Sequence, residues 1–477
     1  MRQYFLGNHR YLSYFGVLFL FLVTCIEIMY ASPYAATWDQ VDFVLALDRY
    51  DLLSMQPHFP GYPYFILGGM IVHSFVENPA KALVIFNVLL LASANIPLFL
   101  LARKYGKEET AWLVVALVQS ASYAMIIVTQ PMSEGAALAV LWWYVWAVER
   151  AHERLTFWEH VLPLFFLGIL LGIRLSYLPF VVALLCLWYN DWKQHHQWRR
   201  IIFLALIALS FQLIWVIAVA STEGNIISFL KLAFSFTNGH FQEWGGTVSS
   251  DPMPFWQRTI HFFIFNVLWV GMACQSMVLL GALGWMFLTS DRSNRVSRTF
   301  LITMVAYLFW ALAAQNIDKP RHILPLAQGA LFYGAIHYLA RNNLLRRRLL
   351  ISGTIIVQLL VGIFHLREAQ QLPATYQLAN DLQKKTESFI VYTWEEARVF
   401  DYLHVAFPYQ EALHFSFFHQ HRANYQQTKI YLTDHVVKGF RAQGVPLTGH
   451  LRKIKTYHSS TLVDPVYGNI TLYEWID

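Results

Sequence analysis

The chain has few charged residues and few cysteines for its length. Only 13% of its 477 residues are Asp, Glu, Lys or Arg, whereas a soluble domain has about 25%. The three cysteines, Cys25, Cys186 and Cys274, lie in apolar segments and show no spacing for a disulfide framework or a metal site. Because 56% of the residues are hydrophobic, the composition predicts an integral membrane protein.

Signature motifs of several enzyme classes are also absent. The sequence contains no phosphate-binding loop, no HExxH zinc motif, no GxSxG nucleophile motif and no CxxC pair. The net charge of +6 does not indicate a nucleic-acid partner, because the Lys and Arg residues in the loops between the apolar segments are concentrated on one side. The polar loops are therefore the candidates for a functional site.

We predict eleven membrane spans, since a bilayer core is about 30 Å thick and needs a long apolar helix to cross it. The bias of Lys and Arg between alternate loops predicts an N-terminus inside and a C-terminal segment outside. The short apolar segment 62–75, interrupted by Gly68 and Gly69, is typical of a re-entrant or interfacial helix. The predicted spans cover about residues 11–30, 80–102, 111–129, 134–149, 158–173, 175–189, 199–220, 260–288, 299–315, 322–340 and 348–366.

The C-terminal part has longer polar segments than the rest of the chain. Strands are predicted at 388–393, 412–416 and 429–433, and helices at 394–404 and 434–442. This alternation is typical of a small α/β domain with a partly parallel sheet. We therefore expect a polytopic α-helical domain over 1–366 and an extracytoplasmic α/β domain over 367–477.

Ionisable residues gather at the outer ends of the predicted spans. The segment Trp38–Pro63 (WDQVDFVLALDRYDLLSMQPHFPGYP) holds four Asp, one His and three prolines. Charged residues that meet on one side of a membrane are candidates for function, although each could also be a helix-end charge or an interfacial anchor. The outer group comprises Asp39, Asp42, Glu134, Arg174, Lys319, Arg321, His322 and the long loop 221–259.

Acids and cations on one aqueous face suit glycosyl transfer from a lipid phosphate. A carboxylate can take the proton of the acceptor, and cations can stabilise the charge that grows on the leaving phosphate. A transporter or flippase of a lipid-linked or anionic solute is the alternative, but transporters typically have paired, interrupted helices and midplane charges. A third possibility is a non-catalytic scaffold that presents the C-terminal domain.

The segment Trp38–Pro63 resembles the GT-C superfamily of polytopic membrane glycosyltransferases. This superfamily includes protein O-mannosyltransferases, lipid A aminoarabinose transferases and catalytic subunits of oligosaccharyltransferase. The resemblance rests on an acid in the first outer loop (WDQVDF) and a proline-rich turn (QPHFPGYP), and it extends over about residues 1–366 through ARKYG, QPMSEG, GIRLSYLP and KPRHILPL. It implies inverting transfer from a polyprenyl-phosphate sugar to a lipid, glycan or protein acceptor, at the outer face of a bacterial cytoplasmic membrane.

The resemblance also implies roles for individual residues. The catalytic acid is assigned to Asp39, with Asp42 as the rival and Glu134 as a second acid. Some family members hold a divalent metal between such acids, so Asp39 and Glu134 are the candidate ligands of Mg²⁺ or Mn²⁺. The expected donor-phosphate ligands are Arg174, Lys319, Arg321 and His322, and the expected groove residues are His58, Tyr62 and Trp244.

Overall fold

A computed structural model gives the fold of the chain, and it describes residues 10–154, 156–290, 296–340, 344–425 and 427–476. This part of the chain is mostly helical and ends in a small sheet. Its membrane-associated helices are α1 (Arg10–Met29), α2 (Trp38–Leu45), α3 (Pro63–His73), α4 (Pro79–Ser93), α5 (Asn95–Arg103), α6 (Glu108–Gln119), α7 (Ser122–Val128), α8 (Glu134–Glu153), α9 (Phe157–Ile173), α10 (Val182–His195), α11 (Trp198–Thr222), α12 (Ile226–Gly239), α13 (Phe255–Ile260), α14 (Met277–Leu288), α15 (Arg298–Ala314), α16 (Leu324–Leu339) and α17 (Leu344–Ala369).

The described helices support a membrane protein but not a count of eleven spans. Among them, three are long and apolar enough to cross a bilayer, namely Pro79–Arg103, Trp198–Thr222 and Leu345–Gln383. The number rises to five if each of two bent pairs is one span. Shorter apolar helices are Tyr14–Met29, Pro63–His73, Phe157–Ile173 and Arg298–Ala314. The count of eleven therefore stays a prediction.

Two sequence predictions for this part are wrong in detail. The segment 260–288 is not one straight span, because Phe255–Met272 and Met277–Leu288 meet at 105°. Cys274 and Gln275 between them have φ of 45° and 60°, a left-handed conformation that ends a right-handed helix. The expected loop 221–259 contains α12, which begins where the Asn225 side chain accepts a hydrogen bond from the backbone N–H of Ser228.

The C-terminal part forms a five-stranded mixed sheet in the order β2-β1-β3-β5-β4. The pairs β2–β1 and β1–β3 are parallel, and β3–β5 and β5–β4 are antiparallel, so the predicted partly parallel sheet is confirmed. The elements are α18 (Ala374–Gln383), β1 (Phe389–Thr393), α19 (Glu396–Tyr402), β2 (Tyr409–Glu411), α20 (Phe415–Arg422), β3 (Lys429–Thr433), α21 (Asp434–Ala442), β4 (Leu451–His458) and β5 (Asn469–Trp475).

The strand predicted at 412–416 is wrong, because β2 ends at Glu411 and α20 begins at Phe415. All five residues of β1 are buried, as expected for a central strand covered on both faces. The helix α19, which follows β1, packs against α2 of the membrane part. The sheet therefore lies next to the segment that holds the first predicted acids. The boundary proposed at residue 366 falls within α17.

Candidate active site

A local cap fixes the helix that holds the first two acids. The Thr37 side chain accepts a hydrogen bond from the backbone N–H of Gln40, and the Gln40 side chain accepts one from the backbone N–H of Ala36. Such reciprocal capping satisfies N–H groups that the first turn leaves without partners. The helix α2 therefore begins at Trp38, and its first turn contains Asp39.

Asn87 fixes the position of the second acid, Glu134. Its fully buried side chain donates hydrogen bonds to the carbonyls of Gln130 and Met132 and accepts one from the backbone N–H of Ala136. These bonds attach the start of α8 to α4. A Cβ at Gly135 would lie 3.1 Å from Asn87, so this close approach favours glycine next to Glu134.

Two arginines converge on Glu134, which is only 1% exposed. Its Oε1 lies 3.1 Å from Arg174 Nη2 and 2.8 Å from Arg321 Nε. The same Arg321 donates through Nη2 to Asp39 Oδ2 at 2.7 Å. Arg174 also donates to Ser133 Oγ at 2.8 Å. The network therefore connects α2, the start of α8, the end of α9 and the turn before α16.

The end of one helix and the turn before another hold these two arginines. Arg174 follows α9 with extended backbone angles (φ −155°, ψ 101°), so the helix ends there and its side chain turns into the network. Arg321 lies in the 3₁₀ turn Pro320–Ile323. His322 in the same turn accepts a hydrogen bond from Arg174 Nη2 through Nδ1, at 3.2 Å. The turn thus holds both Arg321 and His322 against Arg174.

The network forms one end of a cavity of about 380 Å³. Asp39, Lys319 and Arg321 supply its charged end. Aromatic and aliphatic side chains supply most of the remaining wall, namely Phe43, Phe59, Leu175, Leu178, Phe236, Phe241, Trp244 and Trp310. The arrangement of an apolar body with a cationic end suits a molecule that joins a long hydrocarbon to an anionic head.

The two candidate acids of α2 have different environments. The carboxylate of Asp39 lines the cavity and is 30% exposed. Burial alone would raise the pKa of Asp39, but the charges of Lys319 and Arg321, with smaller contributions from His58 and Arg174, hold this pKa below its usual range. These cations therefore favour the ionised form of Asp39.

Asp42 is fully buried behind the cavity wall. Its two oxygens bind His58 Nδ1 at 3.0 Å and Arg398 Nε at 2.9 Å. Burial raises the pKa of Asp42, although His58 and Arg398 partly oppose this effect. Because its carboxylate is occupied by protein groups and does not line the cavity, the geometry favours Asp39 over Asp42 as the acid that meets a substrate.

The cavity brings together most of the residues singled out in the sequence. Those that line it are Asp39, His58, Tyr62, Arg174, Trp244, Lys319, Arg321 and His322. Glu134 lies directly behind them through its ion pairs. The aromatic residues Phe236 and Phe241 were missed because their segment was expected to be a loop, although the Asn225 cap and the apolar stretch after it indicate a helix. Arg398 was missed because it comes from the C-terminal sheet region.

The described residues contain no group of three or more His, Cys, Asp or Glu that could hold a metal ion. The guanidinium of Arg321 bridges Asp39 and Glu134, so these two acids do not form a shared cation site in this arrangement.

A second cavity, of about 460 Å³, lies between the membrane helices and the C-terminal part. The segment 317–322 separates the two cavities, because Asp318 and Pro320 line the second while Lys319 and Arg321 line the first. The C-terminal contribution to the second cavity includes His435 and Lys438.

Comparisons with known proteins bear on the fold. No family model and no curated protein matches the chain. The structure of ArnT from Cupriavidus metallidurans bound to undecaprenyl phosphate matches with 11% identity and a TM-score of 0.56, covering 96% of this chain and 97% of that chain. The apo state of the same protein matches with 12% identity and a TM-score of 0.52, over the same shares of the two chains.

An archaeal oligosaccharyltransferase from Archaeoglobus fulgidus, tethered with an acceptor peptide, is also similar, with 13% identity and a TM-score of 0.48, covering 94% of this chain and 73% of that chain. ArnT is an aminoarabinose transferase and a GT-C glycosyltransferase. At this level of identity the likeness concerns the fold. The chain therefore has the fold of ArnT, a GT-C structure, over almost its whole length, and the resemblance in sequence predicts this fold for about residues 1–366.

Proposed function

We propose that this protein is a membrane glycosyltransferase that moves a sugar from a polyprenyl-phosphate-linked donor to an acceptor at the outer face of the membrane. The observation that carries the proposal is the network of Asp39, Glu134, Arg174 and Arg321 at the end of an aromatic-walled cavity. ArnT, which has the same fold, was crystallised with undecaprenyl phosphate. That lipid combines a long hydrocarbon with an anionic head, which is the chemistry that this cavity suits.

The donor is bound by its two chemically different parts. Lys319 and Arg321 lie at the charged end of the cavity and bind the phosphate through charge-assisted hydrogen bonds. Arg174, held by Glu134 and Ser133, adds positive charge behind them. The hydrocarbon lies along the aromatic wall. The same cations stabilise the charge that develops on the phosphate as the sugar leaves.

Asp39 acts on the acceptor. The bond between the anomeric carbon and the phosphate oxygen breaks, and its electron pair stays with the phosphate. The acceptor oxygen or nitrogen forms a bond to the same carbon on the opposite face, which inverts the configuration, and its proton passes to Asp39. In the empty cavity the low pKa of Asp39 makes it a weak base. A bound phosphate neutralises Lys319 and Arg321, so donor binding raises the pKa of Asp39 and strengthens the base.

We infer that the second cavity admits the acceptor, because it lies across the segment 317–322 from the donor cavity. The bias of Lys and Arg between alternate loops supports a position outside the membrane for residues 367–477, with the N-terminus inside. A bacterial cytoplasmic membrane, where polyprenyl phosphates carry sugars, is the proposed location.

A transporter or flippase is the second candidate, and one observation favours it. Two helix pairs are interrupted, Glu108–Gln119 with Ser122–Val128 at 58° and Phe255–Met272 with Met277–Leu288 at 105°. Broken helices of this kind are typical of transporters. The charge network, however, lies beside aromatic walls that suit a single lipid chain.

The test is sugar transfer in proteoliposomes with a panel of radiolabelled polyprenyl-phosphate sugars. Wild type is compared with Asp39→Asn and with the matched control Asp48→Asn, whose carboxylate is 76% exposed in the same acidic segment. We expect Asp39→Asn to bind the donor but to lose transfer, and Asp48→Asn to transfer normally. Normal transfer by Asp39→Asn would refute the assignment of Asp39 as the base. Lipid movement across the bilayer without use of any donor would favour the transporter.

A further inference from the structure

Arg398 in the C-terminal part contacts the first outer segment at three points. Its Nε donates to Asp42 Oδ1 at 2.9 Å, and its Nη2 donates to the carbonyls of Met55 at 3.0 Å and Ser54 at 3.3 Å. Its side chain is only 14% exposed, and its guanidinium lies 5.9 Å from the centre of the Trp38 ring. One arginine thus binds both the helix α2 and the turn that follows it.

The turn at Ser54 and Met55 needs such a partner. Asp51 caps it through bonds to the backbone N–H and the hydroxyl of Ser54. Met55 has a φ of 56°, a left-handed conformation that is unfavourable for a residue with a side chain. The bonds from Arg398 satisfy the carbonyls that this conformation turns toward the C-terminal part.

Arg398 is itself rigidly placed. It lies on α19, whose first residue, Glu396, is fully buried. The carboxylate of Glu396 accepts hydrogen bonds from the Thr393 hydroxyl at 2.9 Å, from the Trp394 backbone N–H at 3.0 Å and from His435 Nδ1 at 2.8 Å. The start of α19 is therefore fixed to the end of β1 and to α21.

The effect of this contact reaches the donor cavity. The second oxygen of Asp42 binds His58 Nδ1 at 3.0 Å, and His58 Nε2 meets the Tyr62 hydroxyl at 3.0 Å. Both rings line the cavity beside Asp39. Removal of Arg398 would leave the buried carboxylate of Asp42 without its cation, and buried charges that lose a partner change protonation or move.

We propose that Arg398 is a positioning residue, through which the C-terminal part holds Asp42 and the 54–55 turn so that His58 and Tyr62 face the donor cavity. It touches neither the cavity nor the network around Glu134. Its influence on transfer rests on the proposed function, whereas its influence on the geometry of residues 38–62 does not.

Hydrogen–deuterium exchange of the full-length protein in nanodiscs tests the geometry. The variants are Arg398→Ala, Arg398→Lys and the control Arg452→Ala, which removes an arginine that is 59% exposed and paired with Glu474 on the same sheet. We expect Arg398→Ala to raise exchange within residues 38–62 by about tenfold to a hundredfold, the range for loss of charged hydrogen bonds. Lysine keeps the charge but not the fork of donors, so Arg398→Lys should restore part of the protection.

Steady-state transfer by the same variants tests the consequence. Arg398→Ala should lower kcat and raise the KM for the donor, because His58 and Tyr62 line the donor cavity beside Asp39. Unchanged exchange over 38–62, or exchange that rises equally in the strands of the sheet, overturns the proposal. A normal kcat with raised exchange overturns its catalytic part. If wild type transfers no sugar, the proposed function fails, and the exchange experiment still decides whether Arg398 positions the segment.

Discussion

Glu134 is the residue whose loss we expect to cost most in stability. It is 1% exposed and compensates two guanidiniums whose side chains are 8% and 12% exposed, those of Arg174 and Arg321. The change Glu134→Gln keeps the shape and removes the charge. Removing one partner of a buried ion pair costs about 3–5 kcal/mol. In this variant Arg321 still binds Asp39, and Arg174 still binds Ser133. We therefore expect Glu134→Gln to lower the free energy of unfolding by about 3 kcal/mol, the lower end of that range.

A second carboxylate in the same chain provides a matched control. Glu159 accepts two hydrogen bonds from Arg150, at 2.6 and 2.8 Å, but the Arg150 side chain is 36% exposed. An exposed pair contributes about 0–1 kcal/mol, so Glu159→Gln should be nearly neutral. Reversible unfolding in mixed micelles, followed by circular dichroism, measures both free energies of unfolding under the same conditions.

The double variant Glu134→Gln/Arg174→Gln tests whether the charge is the cause. It removes one anion and one cation together, so its cost should be clearly smaller than the sum of the two single changes. If Glu134→Gln costs no more than Glu159→Gln, or if the two changes at the buried site simply add, the buried network does not hold the helix ends in place and the reasoning is refuted.

Two further predictions concern the outer part and the cavity wall. His435 donates hydrogen bonds to Glu396 and to the carbonyl of Val466. Burial lowers the pKa of His435, but the neighbouring carboxylates raise this pKa above 6.5 overall. The stability that His435 contributes is therefore full below about pH 6.5 and is lost as the pH rises through the raised pKa. Thermal melts over this range should therefore show a fall in Tm for wild type and a smaller fall for His435→Gln. The ring of Trp244 packs with its centre 4.7 Å from that of Phe236. Trp244→Ala should raise the KM for the donor about fivefold, because an aromatic contact contributes about 1 kcal/mol. An unchanged KM would exclude this wall from donor binding.

The sidedness of the charges could be predicted from the sequence, but their individual partners could not. Asp39 and Arg321 are 282 positions apart, and their meeting was expected only because both lie at the outer ends of predicted spans. The resemblance assigns the catalytic role to Asp39 with Asp42 as the rival, but the sequence does not show which of the two side chains lines the cavity. Residues three apart on a helix are neighbours on its surface, so the rotation of α2 decides whether the side chain of Asp39 or that of Asp42 lines the cavity. That rotation depends on packing against α4 and α19.

The errors in the fold have two origins, the backbone conformation at residues 274–275 and the polar surface of an edge strand. Hydropathy over 260–288 is continuous, and nothing in it indicates that Cys274 and Gln275 adopt positive φ. The strands β4 and β5 were not predicted. The strand β4 is an edge strand whose residues Arg452–Lys455 are exposed, and a polar edge strand lacks the apolar alternation on which strand prediction depends.

The contacts between the two parts of the chain change how its division is understood. The sequence suggests a catalytic membrane region up to residue 366 and a separate outer domain after it. In the structure Asp42 has two partners, His58 from its own segment and Arg398 from the C-terminal part. A chain that ended at residue 366 would keep every residue that lines the donor cavity, yet of the two side chains that bind the buried Asp42 carboxylate it would keep only His58. Since such a carboxylate is costly to keep, the cavity wall at His58 and Tyr62 depends on a residue that lies outside the region to which composition alone assigns the chemistry.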